Sequence, residues 1–244
     1  MSTFLRALSA EVLKYRRTAA LWLALGIPVL IVGLAWIVLT QSDLAKASAD
    51  RKWMFVQGIT AQMWVTTCLP IGGAILIGML WGLEHGSNQW KHILAQPPSR
   101  HAVFWAKTTG ILALIALGTA FLGVLCMLLV TVTGIGPVRW SVAFETPFRA
   151  YLASLPTMAL ISWLAQRMSS FALPLILGVA GLVLGGVAAN SEEYWFYVPW
   201  SWSLVASIGD DASARATALL LGAGGGTLTL LASWLHFCRA DSPA

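Results

Sequence analysis

The chain of 244 residues is 58% hydrophobic and only 10% charged, with a mean hydropathy of +0.75. Soluble domains carry about 25% charged residues, so this composition excludes an ordinary soluble protein and indicates a single membrane domain over residues 1–244. The net charge of +5 is explained better by cations at the ends of membrane spans than by nucleic-acid binding, so no nucleic-acid partner is expected. Cys68, Cys126 and Cys238 lack paired spacing and therefore support neither a disulfide framework nor a zinc site.

Residues 1–18 predict an amphipathic helix that lies in the membrane interface before the first span. Its apolar side chains share one face at helical spacing, at Phe4, Leu5, Leu8, Val12 and Tyr15. Its cations, which would face lipid headgroups, are Arg6, Lys14, Arg16 and Arg17. A simple basic flank that orients the first span is an equally open interpretation, and both interpretations place the N-terminus in the cytoplasm.

Six apolar runs predict six membrane-spanning helices. They are Ala19–Thr40, Ala61–Leu83, Trp105–Thr133, Ala150–Ala165, Ser170–Ala189 and Ala216–Phe237. The fourth run is short and contains Pro156, which predicts a kink or a tilt. With the N-terminus inside, Lys and Arg are in excess on the cytoplasmic side and acidic residues on the outer side, so both termini are expected in the cytoplasm.

Small residues recur at a spacing of four in the last two runs, as Gly181 with Gly185 and Gly222 with Gly226. Such pairs let helix backbones approach each other closely. Packing within one subunit is favoured over a dimer seam.

A polar segment, residues 84–104, separates the second run from the third. It is interrupted at Gly86 and leaves through a Pro97-Pro98 turn, and the charge bias places it in the cytoplasm. Its candidate contact residues are Glu84, Ser87, Asn88, Gln89, Trp90, Lys91, His92 and Arg100. They combine hydrogen-bonding groups, cations and an aromatic anchor of the kind that dominates protein interfaces. The segment is therefore expected to contact a soluble partner, and a solvated loop without a partner is the alternative.

A second unusual segment, residues 190–214, is dense in aromatic side chains and carries acidic residues at both ends. It includes Tyr197, Pro199, Trp200 and Trp202. Aromatic residues concentrate at membrane–water boundaries, so a short re-entrant or interfacial helix on the outer face is expected. A plain aromatic belt is an equally open interpretation.

The sequence lacks the motifs of several membrane-protein classes. The spans carry almost no ionisable residue in their interiors, which argues against an ion-coupled secondary transporter. There is no GxSxG nucleophile motif and no GxxxxGK[ST] phosphate loop, so neither catalysis nor ATP hydrolysis by that route is expected on this chain. Glu84, His85, His92 and His101 could be imagined around a metal, but ordinary loop residues are the favoured interpretation.

The whole pattern resembles the permease subunits of type 2 ABC exporters. The local matches are Glu11-Val12-Leu13-Lys14-Tyr15-Arg16-Arg17 before the first span and the stretch from Glu84 through Pro97-Pro98-Ser99-Arg100 to Lys107. Within that group, Tyr197-Val198-Pro199-Trp200-Ser201 is similar to permeases of the lantibiotic-immunity and bacitracin-resistance kind. The resemblance implies an all-α fold in the bacterial inner membrane.

The resemblance also implies function and partners. A separate ABC ATPase would bind ATP and Mg²⁺ and contact the 84–104 segment, and this chain itself would hold no cofactor. A second permease chain, identical or related, would complete the transporter, and the aromatic segment would close its exit. The expected cargo is an amphipathic peptide antibiotic or a lipid-like compound. A stand-alone carrier or channel, and a membrane enzyme or assembly factor, are the alternatives.

Overall fold

The structure, a computed structural model, describes residues 3–41, 43–86, 99–137, 139–168 and 170–239. Regular structure in these ranges is helical, with no strand, which confirms the predicted all-α class. The helices are α1 (Thr3–Arg17), α2 (Ala19–Gln41), α3 (Ala49–Gln57), α4 (Gly73–Gly86), α5 (Arg100–Thr133), α6 (Thr146–Ala153), α7 (Leu155–Ala165), α8 (Ala172–Ala189), α9 (Pro199–Ile208) and α10 (Ala212–Arg239). Short 3₁₀ turns lie at Asp43–Lys46 and Tyr194–Tyr197, and π-helical segments lie at Gly58–Gln62, Trp64–Gly72 and Ser141–Glu145.

Within the described ranges, five helical stretches are long and apolar enough to cross a membrane. They are Ala19–Gln41, Ala49–His85, Arg100–Thr133, Ala172–Ala189 and Ala212–Arg239. They correspond to five of the six predicted spans, so the chain is a multi-pass membrane protein. Their outward faces carry large apolar side chains, such as Trp22 at 77% and Leu220 at 73% exposure, as contact with lipid requires.

The fourth predicted span, Ala150–Ala165, is divided in the structure. Helices α6 and α7 meet at Ser154, and neither is long enough to cross a membrane by itself. Pro156, in the first turn of α7, has no backbone N–H to donate to the preceding turn, so it cannot continue α6 as one regular helix. A sixth crossing built from α6 and α7 together stays a prediction.

The second predicted span begins earlier than its apolar run indicated. The helical stretch starts at Ala49 instead of Ala61 and continues through two π-helical segments into α4. Its 37 residues would measure about 55 Å at 1.5 Å per residue, against a hydrocarbon core of about 30 Å. The α3 end of this stretch therefore extends beyond the apolar layer.

Glycines bring the helices of the second half into close contact. A Cβ atom at Gly222 of α10 would lie 2.3 Å from Cα of Ala153 in α6, and one at Gly226 would lie 2.5 Å from Cβ of Leu155. On α8, a Cβ at Gly181 would lie 2.0 Å from the Trp200 ring. These glycines pack within one subunit, which confirms the favoured interpretation of their spacing.

The Gly222 contact predicts a position-specific loss of stability. Gly222→Ala should lower the free energy of unfolding by about 1–3 kcal/mol, because the added methyl group overpacks the contact between α10 and α6. Gly224→Ala is the matched control, since no heavy atom lies within 4 Å of a Cβ built there. Thermal unfolding in detergent should show a lower midpoint for the first variant only. Equal midpoints for the two variants would contradict this packing.

Candidate functional site

Helix α1 packs directly on the first half of α5 through Tyr15. The Tyr15 side chain is 5% exposed, and a Cβ atom at Gly110 of α5 would lie 2.2 Å from its hydroxyl oxygen. The absence of a side chain at Gly110 is therefore what allows the tyrosine to lie against α5. Burial and the nearby Glu11 carboxylate raise the pKa of Tyr15, so this phenol is neutral at physiological pH.

The orientation of α1 differs in part from the amphipathic pattern that its sequence suggested. Glu11 and Tyr15 are its buried residues, whereas Leu5 and Val12 are each 47% exposed. Lys14, predicted to face lipid headgroups, instead turns toward the protein and pairs with carboxylates there. The three other cations of the helix are exposed, and their contact with headgroups stays a prediction; they are Arg6, Arg16 and Arg17.

Four charged side chains from three helices meet where α1, α4 and α5 come together. Glu11 and Lys14 come from α1, Glu84 from the last turn of α4, and Lys107 from α5. Lys14 Nζ lies 2.7 Å from Glu11 Oε1 and 2.6 Å from Glu84 Oε1. Lys107 Nζ lies 3.2 Å from Glu11 Oε2 and 3.0 Å from Glu84 Oε1. We call these four residues the charge cluster.

The charge cluster is largely removed from water. The side chains of Glu84 and Lys107 are 1% and 2% exposed, that of Glu11 is 10% exposed, and only Lys14 remains accessible, at 31%. The Lys107 ammonium also donates to the backbone oxygen of Leu80 at 2.9 Å and lies 5.3 Å from the ring centre of Trp81. Lys107 therefore joins α5 to both the backbone and the side chains of α4.

The four charges stabilise the contact between α1, α4 and α5 only when all of them are present. Burying an isolated charge costs several kcal/mol, and pairing offsets this cost only when opposite charges and hydrogen bonds are in place. Two carboxylates and two ammonium groups give the charge cluster no net charge. Loss of any one member leaves an uncompensated charge among poorly hydrated neighbours.

Lys14 is the member of the charge cluster with access to water. Burial lowers its pKa, but hydrogen bonds and charge attraction from Glu11 and Glu84 outweigh that effect and hold the pKa above its ordinary value. A raised lysine pKa means that the stabilising contribution is fully present below the ordinary value. It is lost only as the pH rises through the raised value, so Lys14 stays protonated throughout the physiological range.

Two further hydrogen bonds fasten the end of α4 to α7. Trp81 Nε1 donates to Ser162 Oγ at 2.7 Å, and His85 Nε2 lies 3.2 Å from the backbone oxygen of Ala165. The end of α4 is therefore held by α1, α5 and α7 together. Helix α5 begins at Arg100, where Ser99 Oγ accepts a hydrogen bond from the Ala102 amide at 3.3 Å.

Of the predicted contact residues in the 84–104 segment, the structure describes only Glu84 and Arg100. Glu84 lies in α4 and Arg100 begins α5. The remaining residues lie outside the described part of the chain; they are Ser87, Asn88, Gln89, Trp90, Lys91 and His92. Because the Glu84 carboxylate is buried in the charge cluster, this side chain holds the end of α4 and does not offer an exposed contact surface.

Sequence reasoning did not single out Glu11 and Lys107 as members of a site. A signal was present, since Lys107 interrupts an apolar stretch about two helical turns inside α5, and Glu11 is the sole acidic residue of α1. Charges inside apolar surroundings require partners, and Lys107 has no acidic residue nearby in sequence, whereas Glu11 has Lys14 three positions on. Their pairing across 96 positions follows only from the fold.

The aromatic segment 190–214 forms a turn and the short helix α9. Trp200 packs on Gly181 and Gly185 of α8, and Pro199 begins the helix. Trp202 Nε1 donates to the backbone oxygen of Phe196 at 3.1 Å, whereas Tyr197 is 73% exposed. The chain thus folds back along α8 before α10 begins. A re-entrant position in a membrane and a role in closing the exit stay predictions.

Among the described residues, no group of three or more His, Cys, Asp or Glu side chains could hold a metal ion. His101 instead accepts a hydrogen bond from Trp234 Nε1 at 3.1 Å, and its Nδ1 lies 3.2 Å from Cys238 Sγ. His85 is engaged with α7. The imagined metal set of Glu84, His85 and His101 is therefore not assembled, and His92 lies outside the described residues.

The fold and the charge cluster define a multi-pass helical membrane protein whose N-terminal helix α1 is tied to α4 and α5. Residues 7–185 match the model of the ABC-2 family transporter proteins. The chain therefore belongs to the ABC-2 transporter family, and it is a permease subunit of an ABC transporter. Family membership implies partnership with an ABC ATPase and a dimeric assembly. No curated protein and no solved structure matches the chain.

The charge cluster predicts a large and conditional effect of mutation. Lys107→Met should lower the free energy of unfolding by about 3–5 kcal/mol, because it leaves Glu84 and Glu11 with one cation between them. Combining it with Glu84→Gln should recover part of the loss, since no excess buried carboxylate then remains. The free energies of unfolding of the single and the double variant are measured in mixed detergent micelles by tryptophan fluorescence.

Arg149→Gln is the control for this experiment, because Arg149 forms an exposed ion pair with Glu145. Such a pair is worth about 0–1 kcal/mol. If Lys107→Met proves no more destabilising than this control, the cluster does not hold the three helices together.

Proposed function

We propose that this chain is the membrane permease of an ABC exporter that moves an amphipathic peptide antibiotic or a lipid-like compound. A separate ATPase would supply the energy by binding the segment between α4 and α5. The observation that carries the proposal is the charge cluster, because it ties both helices that flank this segment to α1. Family membership supports the transport role, and the cargo rests on the resemblance to immunity and resistance permeases.

The contacts around the segment suggest how movement would be transmitted. Glu84 lies in the last turn of α4, and Lys107 lies about two helical turns after α5 begins. Glu84 pairs with Lys14 of α1, and Lys107 pairs with Glu11 of the same helix. A displacement of the segment would therefore move α1, α4 and α5 as one unit. Hydrogen bonds from Trp81 and His85 would carry the movement on to α7.

The opposite end of the bundle would control release of the cargo. Helix α9 packs on α8 through Trp200, and a shift of either helix would open the contact at Gly181 and Gly185. Tyr197 and the other exposed aromatic rings of this segment would line the exit on the outer face. In this proposal the transporter resides in the bacterial inner membrane, with both termini in the cytoplasm, as a homodimer or a heterodimer with a related permease.

Changes in the 84–104 segment should weaken its coupling to the partner ATPase. We expect Trp90→Ala combined with Lys91→Ala to reduce stimulation of the partner ATPase by about tenfold or more, because aromatic and cationic anchors dominate interface energies. Co-purification with the ATPase, followed by its ATP hydrolysis rate in lipid vesicles, measures the effect.

Lys46→Ala combined with Trp140→Ala is a matched control, since both residues are exposed and lie in the chain that follows α2 and α5, away from the charge cluster. The coupling proposal is wrong if the wild-type chain retains no ATPase, or if the two double variants stimulate hydrolysis equally. Sensitivity of a deletion strain to a panel of amphipathic antibiotics tests the cargo separately.

The predicted topology has its own test. In a chain whose three cysteines are replaced by alanine, Asn88→Cys should resist an impermeant thiol reagent added outside whole cells. Ser191→Cys, beyond the end of α8, should react with the same reagent. Permeabilised cells provide the control, because both sites should then be labelled. The reverse pattern in intact cells would overturn the assigned orientation.

A further inference from the structure

A cavity of about 270 Å³ lies between the far end of α2, the far end of α5 and the start of α3. At about 30 Å³ per water molecule, this volume corresponds to about nine waters. Its walls are mostly apolar, with Trp36 and Leu39 from α2, Val132 from the end of α5 and Ile135 just after that helix. Apolar walls with few polar groups are typical of ligand-binding cavities.

The cationic group of this cavity is the side chain of Lys52, which belongs to α3. Within the described part of the chain, Lys52 forms no ion pair. Asp50, two positions earlier, is engaged by Arg139, whose Nη2 lies 2.5 Å from Asp50 Oδ1. The hydroxyl groups of Thr40 and Thr133, which also line the cavity, donate to backbone oxygens of their own helices. The Lys52 ammonium therefore provides the available donors for an anionic ligand.

The cavity lies beside the ends of two candidate spans, α2 and α5, and exposed apolar side chains form part of its rim. It lies at the end of α2 opposite to the charge cluster, and the 23 residues of α2 extend for about 35 Å. Trp36 is 51% exposed and Val132 is 68% exposed at its rim. In a membrane, such a rim faces acyl chains, while Lys52 lies toward the headgroup layer.

We propose that this cavity binds a single anionic phospholipid. The negatively charged headgroup would contact Lys52 Nζ, and the upper part of an acyl chain would cover Trp36 and Val132. Charge complementarity selects the headgroup, because an unpaired cation in a partly apolar cavity gains most from an anion. Apolar area selects a lipid over a free phosphate compound. Bound lipid would fill the gap between α2 and α5, and this role is independent of the cargo and of the ATPase.

Photo-crosslinking tests the proposal. The full chain is reconstituted in phosphatidylcholine vesicles that contain a trace of either phosphatidylglycerol or phosphatidylcholine with a photoreactive acyl chain. Cross-links to the peptides that carry Trp36 and Val132 are quantified by mass spectrometry. A basic residue near the headgroup layer contributes about 1 kcal/mol, so phosphatidylglycerol should label these peptides about fivefold more than phosphatidylcholine.

Matched variants assign this preference to one residue. Lys52→Gln should reduce phosphatidylglycerol labelling to the phosphatidylcholine level, and Lys52→Arg should preserve it. Lys46→Gln, at the nearby 3₁₀ turn and outside the lining, should leave it unchanged. Excess glycerol phosphate should fail to compete, since it lacks an acyl chain.

The proposal is overturned if both lipids label the wild-type peptides equally, or if Lys52→Gln keeps the preference. Equal losses in Lys52→Gln and Lys46→Gln would also overturn it, because a diffuse surface charge would then explain the result. Competition by glycerol phosphate would assign the cavity to a soluble anion in place of a lipid.

Discussion

The pairing of two buried carboxylates with two ammonium groups is the constraint on which the packing of α1, α4 and α5 depends. Without it, Lys107 would bring an unpaired cation into the contact between α4 and α5, and Glu84 would bring an unpaired carboxylate. Neither charge is tolerable alone in surroundings where the exposed fraction of the side chain is 2% or less. Helix α1 supplies Glu11 and Lys14, so its position is fixed by ion pairs with Lys107 and Glu84 as well as by apolar contact.

This constraint gives the N-terminal helix a role beyond resting on a membrane surface. A helix held only by amphipathic contact could slide along the interface while the spans move. Contact with both Glu84 and Lys107 instead obliges it to follow the ends of α4 and α5. Tyr15 on Gly110 adds a close contact that a side chain at Gly110 would block. The N-terminal helix is thus part of the moving unit in the proposed transport cycle.

Hydropathy in the sequence was sufficient to predict the helical class and five of the spans, because a long apolar run has few alternatives in a membrane. Pro156 predicted a kink in the fourth run, but hydropathy could not place the division at Ser154 or the early start of the stretch at Ala49, since both depend on local backbone geometry and not on average polarity. The spacing of Gly222 and Gly226 indicated close packing, but only the fold shows that the partners are Ala153 and Leu155.

The charge cluster was the part of the site least accessible to sequence reasoning. Glu84 was correctly recognised as unusual, but its charge suggested an exposed contact with a partner, whereas its carboxylate is buried. In the sequence, Lys107 only marks the end of the stretch that resembles the exporter permeases, and that resemblance does not require a partner for it. A buried ion pair between distant helices becomes visible only when the helices are placed together, because each residue alone resembles an ordinary flank of a span.

Hydrogen–deuterium exchange of the α1 backbone amides tests most directly whether the charge cluster holds this helix. The comparison is between the wild-type chain and Glu84→Gln, both reconstituted in the same lipid, with the amides of α8 as the internal reference. The account predicts that exchange across Thr3–Arg17 becomes about tenfold faster or more in the variant, which corresponds to at least about 1.4 kcal/mol of lost local stability, while α8 is unchanged. Unchanged exchange in α1 would show that the membrane surface and apolar packing hold it alone, and would contradict the account.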